Sequence, residues 1–457
     1  MLRPGRFLPV GLLLLLATTA SAQRRPDIVL FLLDDADARL FDDNPGFRRF
    51  GERGMRFTAH VPSPQCAPSR ASILTGLHAH NHGVVGNVGG DLAWQANARG
   101  NMLADWLQQA GYRTVKAGKW INGVGSYTEG WDVWIEVARE EPSGPWLYEL
   151  TQQAMSAIYG TPDEQPLFLY FAPGHDWMSP SDAYAGTYRG FPGSVAWNEL
   201  DISDKRAWRR PLLTVAEMSE VIVRWQRRHE VMHDLRDALS AIEQAFSLAG
   251  RPAPIFLVTS DHGYMQGEHR IPSGKGVLYR EATEVPLFLV GPDVPQGSTA
   301  ALVYPLDVTA TIADLAGAAT PELDGRSLLP LVEDPDRPWR RRVLLEHGGG
   351  AGARAWVGVR TRSRKVALFG AGWRELYAVA ADPFEMEQRC EAGDRRCGHR
   401  LLKMVPALAT CRGQRCWQDE TDRVGEVVRR ARAIPATSSL TGRERPPRLS
   451  LEPPPGA

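Results

Sequence analysis

Residues 27–35, Asp27-Ile28-Val29-Leu30-Phe31-Leu32-Leu33-Asp34-Asp35, form an unbroken apolar run of strand length that stops in two adjacent carboxylates. Without the polar–apolar alternation of a half-exposed strand, such a run predicts a central parallel strand covered on both faces. The pattern returns far down the chain, where Ile255 to Thr259 leads into Asp261-His262-Gly263. Between them, Met102 to Ala110 has helical spacing and stops at Gly111, while Thr114 to Ala117 and Leu167 to Phe171 read as strands. Thr214 to Ala249 carries apolar residues at helical intervals as far as Gly250. The alternation predicts an α/β fold with a large mixed, mostly parallel sheet sandwiched by helices. Ligands bind such sheets at the carboxyl ends of the strands, so the two acidic strand ends are expected to meet there.

The rest of the chain is consistent with one large domain and an appendage. Its 457 residues are 43% hydrophobic and 23% charged, and 53 Lys+Arg balance 53 Asp+Glu. This composition belongs to a globular protein and excludes both a disordered chain and a polyanion binder, nucleic acid included. From about Pro335 the texture changes to Arg-rich turns at Arg340, Arg341 and Arg342, short strands at Val343 to Glu346 and Trp356 to Val359, and a cysteine cluster. The expected division is a catalytic α/β domain at 23–335, a smaller C-terminal α+β domain at 336–442 and a Pro-rich, disordered tail at 443–457.

Residues 1–22 read as an export signal: Arg3 and Arg6, then Leu12 to Leu16, then the small residues Ala20-Ser21-Ala22 before Gln23. The apolar stretch from Phe7 to Ala20 is interrupted by Pro9 and is too short for a membrane span, and no later segment is apolar enough for one. A secreted or periplasmic protein is expected. That compartment favours disulfides among Cys390, Cys397, Cys411 and Cys416, over a zinc site for which the spacings are poorly suited. Of the three possible pairings, Cys390 with Cys397 and Cys411 with Cys416 close the shortest loops, and the sequence does not choose. Cys66 is left without a partner.

Cys66 opens the most informative segment, Cys66-Ala67-Pro68-Ser69-Arg70-Ala71-Ser72-Ile73-Leu74-Thr75-Gly76. Pro68 and Ser69 suit a helix start, which puts Cys66 at a helix N-terminus where negative charge is favoured. Arg70, a turn later, offers a fork of donors to the same anion. The five residues that separate cysteine from arginine in thiolate phosphatases are missing. Lysine is scarce, at positions 116, 119, 205, 275, 365 and 403 only, and solvated surface positions are expected for Lys205 and Lys403.

The series Asp34-Asp35, Cys66-Ala67-Pro68-Ser69-Arg70 with Leu74-Thr75-Gly76, Gly118-Lys119-Trp120, Ser260-Asp261-His262-Gly263-Tyr264, Lys275, Leu376-Tyr377 and Asp382-Pro383 resembles the type I sulfatases of the alkaline phosphatase superfamily. The resemblance covers nearly the whole mature chain. It implies that Cys66 is oxidised by formylglycine-generating machinery to an aldehyde whose hydrate attacks the sulfur of a sulfate ester. The second hydroxyl of that hydrate then expels sulfate, which a serine or a thiol lacks the group to do. It also implies a divalent cation held by Asp34, Asp35, Asp261, His262 and residue 66, with calcium expected from the oxygen donors. His262 stands where many relatives have Asn, which leaves magnesium or manganese open.

By the same resemblance Lys119 and Lys275 hold sulfate or leaving-group oxygens, Arg70 supports the hydrated aldehyde, and His175 in Pro173-Gly174-His175 protonates the leaving oxygen. His269, in Gly267-Glu268-His269, resembles a substrate-facing position. Many relatives have a His after the Lys119-Trp120 pair, where this chain reads Ile121-Asn122; Asn is no base at neutral pH. That Asn122, together with Asn81-His82 and the stretch from Asn198-Glu199 to Asp204-Lys205, is most similar to the N-acetylglucosamine-6-sulfatase branch. The expected substrate is a carbohydrate sulfate monoester such as an N-acetylglucosamine 6-sulfate unit, or an aryl sulfate. Two rivals remain: hydrolysis of phosphonate or phosphate esters on the same superfamily fold, and an inactive homologue that only binds sulfate or glycan.

Overall fold

The structure, a computed structural model, describes residues 24–137, 146–174, 177, 179–191, 193–205, 210–348, 355–391, 394 and 396–433. The expected export segment and tail lie outside the described residues.

An eight-stranded sheet organises the larger part of the chain. Its strands are β1 (Ile28–Leu33), β2 (Met55–His60), β3 (Arg113–Gly118), β4 (Val133–Ile135), β5 (Leu167–Ala172), β6 (Ile255–Ser260), β7 (Val285–Val290) and β8 (Gly297–Val303). They are arranged β4-β3-β5-β1-β6-β7-β2-β8. Strand β1 is central and pairs in parallel with β5 and β6, in registers that set Ile28 opposite both Phe168 and Ile255. Only β7 runs against its neighbours β6 and β2. The mixed, mostly parallel α/β architecture expected from residues 27–35 is therefore present.

All six residues of β1 are fully buried, and the pleat explains why none is polar. Ile28, Leu30 and Leu32 join a core with Trp94, Leu107 and Ile312 on one side. Val29, Phe31 and Leu33 join a second core with Leu147, Leu235 and Ile242 on the other. Both faces being covered, every position gains about 1.5–3 kcal/mol from burying an aliphatic or aromatic side chain. At the foot of β1, Asp27 accepts from Arg251 Nε and Nη2 at 2.8 and 2.7 Å and from the Leu167 amide at 2.8 Å. That clasp ties the starts of β1, β5 and β6 together at the end opposite Asp34.

A second, four-stranded antiparallel sheet follows: β9 (Arg342–His347), β10 (Trp356–Thr361), β11 (Lys365–Phe369) and β12 (Arg374–Tyr377), arranged β12-β11-β10-β9. One face, through Val343, Leu345, Trp356 and Phe369, packs on Val61, Val277, Leu278 and Tyr304 of the preceding chain. Its other face is covered by Met404, Val405, Leu408 and Val427. Disulfides join Cys390 to Cys397 and Cys411 to Cys416, the pairing with the shortest loops, and Cys66 is a buried free thiol. No helix among the described residues is long and apolar enough to cross a membrane.

Candidate active site

The carboxyl ends of β1, β3 and β6 converge on the helix Cys66–Thr75, whose first residue is Cys66 itself. Asp34 follows β1, Lys119 follows β3 and Asp261 follows β6. Two local features make the approach possible. Gly118 has φ +96, and a Cβ there would lie 2.3 Å from the Ala172 carbonyl, which accepts the Lys119 amide at 2.7 Å. Asp35 adopts the left-handed region at φ 60, an arrangement Asp tolerates better than most residues. Its amide thereby reaches Asp261 Oδ1 at 3.1 Å.

Cys66 Sγ lies 2.9 Å from Lys275 Nζ, 3.2 Å from His262 Nε2, 3.4 Å from Lys119 Nζ and 3.7 Å from Asp34 Oδ1. Lys119 Nζ bridges both oxygens of Asp34, at 2.7 and 2.8 Å. Arg70 is wholly enclosed, its Nε donating to Asp261 Oδ2 at 2.8 Å and its Nη2 to Asp34 Oδ1 at 3.3 Å. Lys275 pairs with Asp35. Burial opposes the charge on Asp34, but Lys119, Arg70 and Lys275 outweigh it and hold this carboxyl well below the usual range. Both lysines retain about a fifth of their side-chain exposure, 22% each, so they are the cations of the cluster that an incoming anion can meet.

Donor atoms of Asp34, Cys66, Asp261 and His262 lie within 4.8 Å of one another. His262 Nδ1 sits 2.9 Å from the Gly263 carbonyl, to which it donates, and Nε2 faces Cys66 Sγ and Asp261 Oδ1 as the nitrogen available to a cation. A backbone carbonyl that sets the tautomer is the usual support of a metal-binding imidazole. In the bare protein burial would lower the His262 pKa, yet Asp261 outweighs it and raises the value to about 9; a cation would take the place of that proton. Two carboxylates and an oriented imidazole fit a hard divalent ion. Asp35 stands at the edge of this group, its Oδ1 3.3 Å from His262 Nδ1 and otherwise engaged with Lys275.

The structure thus brings together Asp34, Asp35, Cys66, Arg70, Lys119, Asp261, His262 and Lys275. Asn122 lies exposed on the turn after Trp120. His269 is fully buried at φ 50, with Nδ1 2.6 Å from Glu199 Oε2 and its ring 4.1 Å from that of Tyr279. His175 lies outside the described residues. The expectation for Lys205 is corrected: it is fully buried, with Nζ 3.0 Å from Glu199 Oε1 and 2.7 Å from the Met386 carbonyl, because a local carboxylate compensates its charge. Lys403 is exposed as expected.

Three supporting side chains escaped the sequence reading. Tyr170 on β5 offers its hydroxyl to Arg70 Nη1 at 3.2 Å. The indole of Trp177 donates to the Asp34 carbonyl at 2.9 Å. Arg228, from the helix Val215–Leu248, donates to the Asp35 carbonyl and stacks over Trp177 and Tyr264 at 4.4 and 4.9 Å. A signal existed for Arg228: Val221, Trp225, Met232 and Leu235 occupy the buried stripe of that helix and Arg228 falls on the same stripe.

Acidic strand ends facing a cysteine at a helix start, on a mostly parallel sheet with a small antiparallel sheet behind it, make up an alkaline phosphatase-like architecture. The chain belongs to the sulfatase family, whose model matches residues 26–318. A second model, for the C-terminal part of N-sulphoglucosamine sulphohydrolase, matches residues 267–402. A Sulf-1 homolog from Caenorhabditis elegans is 29% identical over 378 residues, 70% of this chain but only 52% of the relative, so the chain spans about half that protein's length. The N-acetylglucosamine-6-sulfatase of Capra hircus is 28% identical over 381 residues, 72% of this chain and 68% of the relative. The solved structure of BT4656 in complex with its substrate D-glucosamine-2-N,6-O-disulfate shares the fold, with a TM-score of 0.66 and 19% identity over 83% of this chain and 97% of that one.

Proposed function

We propose that the protein is an exported enzyme that hydrolyses sulfate monoesters, most naturally on a carbohydrate such as an N-acetylglucosamine 6-sulfate unit, using a formylglycine made from Cys66 and a divalent cation, calcium first. The observation that carries this reading is the surroundings of Cys66 Sγ, with Lys275, His262 and Lys119 within 3.4 Å and Asp34 and Asp261 close behind. The glucosamine preference is supported by the 28% identity to the goat enzyme. Two disulfides support an oxidising compartment.

In this reading Asp34, Asp35, Asp261 and His262 hold the cation together with residue 66. When bound, the cation supplies Lewis acidity and lowers the pKa of a coordinated oxygen. Formylglycine supplies the second hydroxyl that a thiol lacks. Lys119 and Lys275 bind the sulfate oxygens, and each leaves its present carboxylate partner in part to do so. Arg70, gripped by Asp34 and Asp261, keeps residue 66 and the carboxylates in register. His175 protonates the leaving oxygen, Asn122 positions the attacking group, and His269 is assigned to the substrate side.

Mass spectrometry of the Cys66 peptide from a host with the modifying machinery tests the reading together with sulfate release. The expected result is an aldehyde at position 66, loss of activity on chelation, recovery with calcium, and no activity in Cys66→Ala. An unmodified thiol with sulfate binding but no turnover would establish a binding protein instead. Faster cleavage of a matched aryl phosphate than of the aryl sulfate would establish the phosphate-ester rival.

A further inference from the structure

The helix Cys66–Thr75 begins without a cap of its own. Gln65, at the N-cap position, is extended at φ −148 and ψ 144, and its side chain makes no capping hydrogen bond. Amides in the first turn of a helix have no carbonyl partner within it. Pro68 carries no amide hydrogen, and the Ser69 amide is the first to reach back, to the Gln65 carbonyl at 3.2 Å. The Ala67 amide is satisfied from a separate segment: it donates to Asn87 Oδ1 at 2.9 Å. The residue beside Cys66 is therefore capped by a side chain twenty positions further along the chain.

Asn87 sits in the loop 83–90, which follows the short helix Ala79–His82. The base of this loop is tied to the same Cys66 helix, since His82 Nε2 lies 3.1 Å from Ser72 Oγ and His82 Nδ1 accepts the Val84 amide at 3.1 Å. The tip buries little. Val85 and Val88 are 40% and 90% exposed, and a Cβ at Gly89 would meet nothing within 4 Å. Apolar packing does not seat the tip, so its polar contact with Ala67 carries that duty. The tip also meets the turn that bears Asn122: Gly123 has φ +67, and a Cβ there would fall 2.6 Å from the Asn87 carbonyl oxygen and 3.1 Å from Val88 Cα. Asn87 thus joins the first turn of the Cys66 helix to the Asn122 turn.

We infer that Asn87 is a positioning residue for sulfate ester cleavage: its side-chain oxygen fixes the first turn of the Cys66 helix, so that residue 66 is held against the ester bound at Lys119 and Lys275, and because it is uncharged it does this without repelling the sulfate. The inference rests on the sulfatase reading. An aspartate would cap the helix about as well and would be favoured by the helix dipole. It would also put a full negative charge beside residue 66, where an anion has to bind.

The two duties separate in two variants of the full-length modified enzyme, assayed on N-acetylglucosamine 6-sulfate and 4-nitrophenyl sulfate, with rates normalised to the aldehyde content found by mass spectrometry. Asn87→Ala is expected to lower kcat about tenfold with KM within about twofold of the wild type, the mark of a displaced nucleophile. Asn87→Asp restores the cap: kcat should return to within about threefold of the wild type while KM rises about fivefold, and that rise should shrink at high ionic strength. An unchanged kcat in Asn87→Ala, or two variants alike in both constants, would overturn the inference. Should Asn87→Ala fail to fold in a thermal melt, Asn87→Asp decides alone: a raised KM with kcat kept upholds the inference, and an unchanged KM rejects it. If the wild type cleaves neither ester, the activity reading itself falls, and calorimetric titration with inorganic sulfate still decides Asn87. Affinity lost in Asn87→Asp and kept in Asn87→Ala upholds a neutral cap at the anion site; equal affinity in all three proteins rejects it.

Discussion

Lys275 and Lys119 are the residues on which catalysis is most exposed to measurement, because each meets Cys66 and keeps a solvent-facing side. Lys275→Ala is expected to lower kcat by about 10²–10³-fold, the usual loss when one preorganised donor to a developing charge is removed. Stopped assays of sulfate release, with a thermal melt to show an intact fold, check this. Gly263 is a different kind of constraint. A Cβ there would sit 1.8 Å from the Glu281 carbonyl, so Gly263→Ala must displace the loop that carries Asp261 and His262. Loss of metal affinity is the expected outcome, read by titrating calcium against activity. Asp34, Asp35, Cys66, Asp261 and the two lysines were singled out in sequence by their types and order, and the structure brings them together. Tyr170 and Trp177 were not, since each acts only through a partner that folding brings from elsewhere.

At the scale of elements, β1 carries separate duties at its two ends. Its foot is clasped by Asp27 and Arg251, both almost fully buried, while its head presents Asp34 to the site. Breaking a buried pair by removing one charge leaves the other unpaired and costs about 3–5 kcal/mol. Asp27→Asn should therefore lower unfolding free energy by that order in urea, with kcat at 25 °C largely kept, since about 20 Å of strand separates the clasp from Asp34. A proportionate fall in kcat would show that the clasp also sets the site. The strand itself was readable from its unbroken apolar run. The reversed direction of β7 was not, because Val285-Pro286-Leu287-Phe288-Leu289-Val290 is as apolar as β1 and burial on both faces hides strand polarity.

Across the whole molecule, buried neutral histidines tie stability to pH. Burial lowers His60 and His82 to about 3. His82 accepts the Val84 amide at Nδ1 and meets Ser72 Oγ at Nε2, so protonation would break the first contact. With folded values below the unfolded value of about 6.5, the unfolded chain binds more protons in between. Their stabilisation is complete above pH 6.5 and is lost progressively as pH falls toward 3. His80 works in the opposite sense: burial would lower it, but Glu346 outweighs that and raises it. The contribution of His82 is therefore read as a difference. Between pH 6.5 and 5 the wild type should lose about 2 kcal/mol more than His82→Asn in denaturant titrations; parallel curves would refute the assignment.

Sequence alone determined the sheet, the acidic strand ends and the cysteine at a helix start. Each of these is written in local pattern: an apolar run of strand length, a run of residue types, a helix-opening proline. Only the tertiary structure decided that Arg70 binds Asp34 and Asp261 together, that Lys205 is a buried ion-pair residue and not a surface one, and that Arg228 braces the Asp35 turn. Those features depend on the distance between segments remote in the chain. That distance is fixed by packing both faces of the sheet, and no local pattern records it.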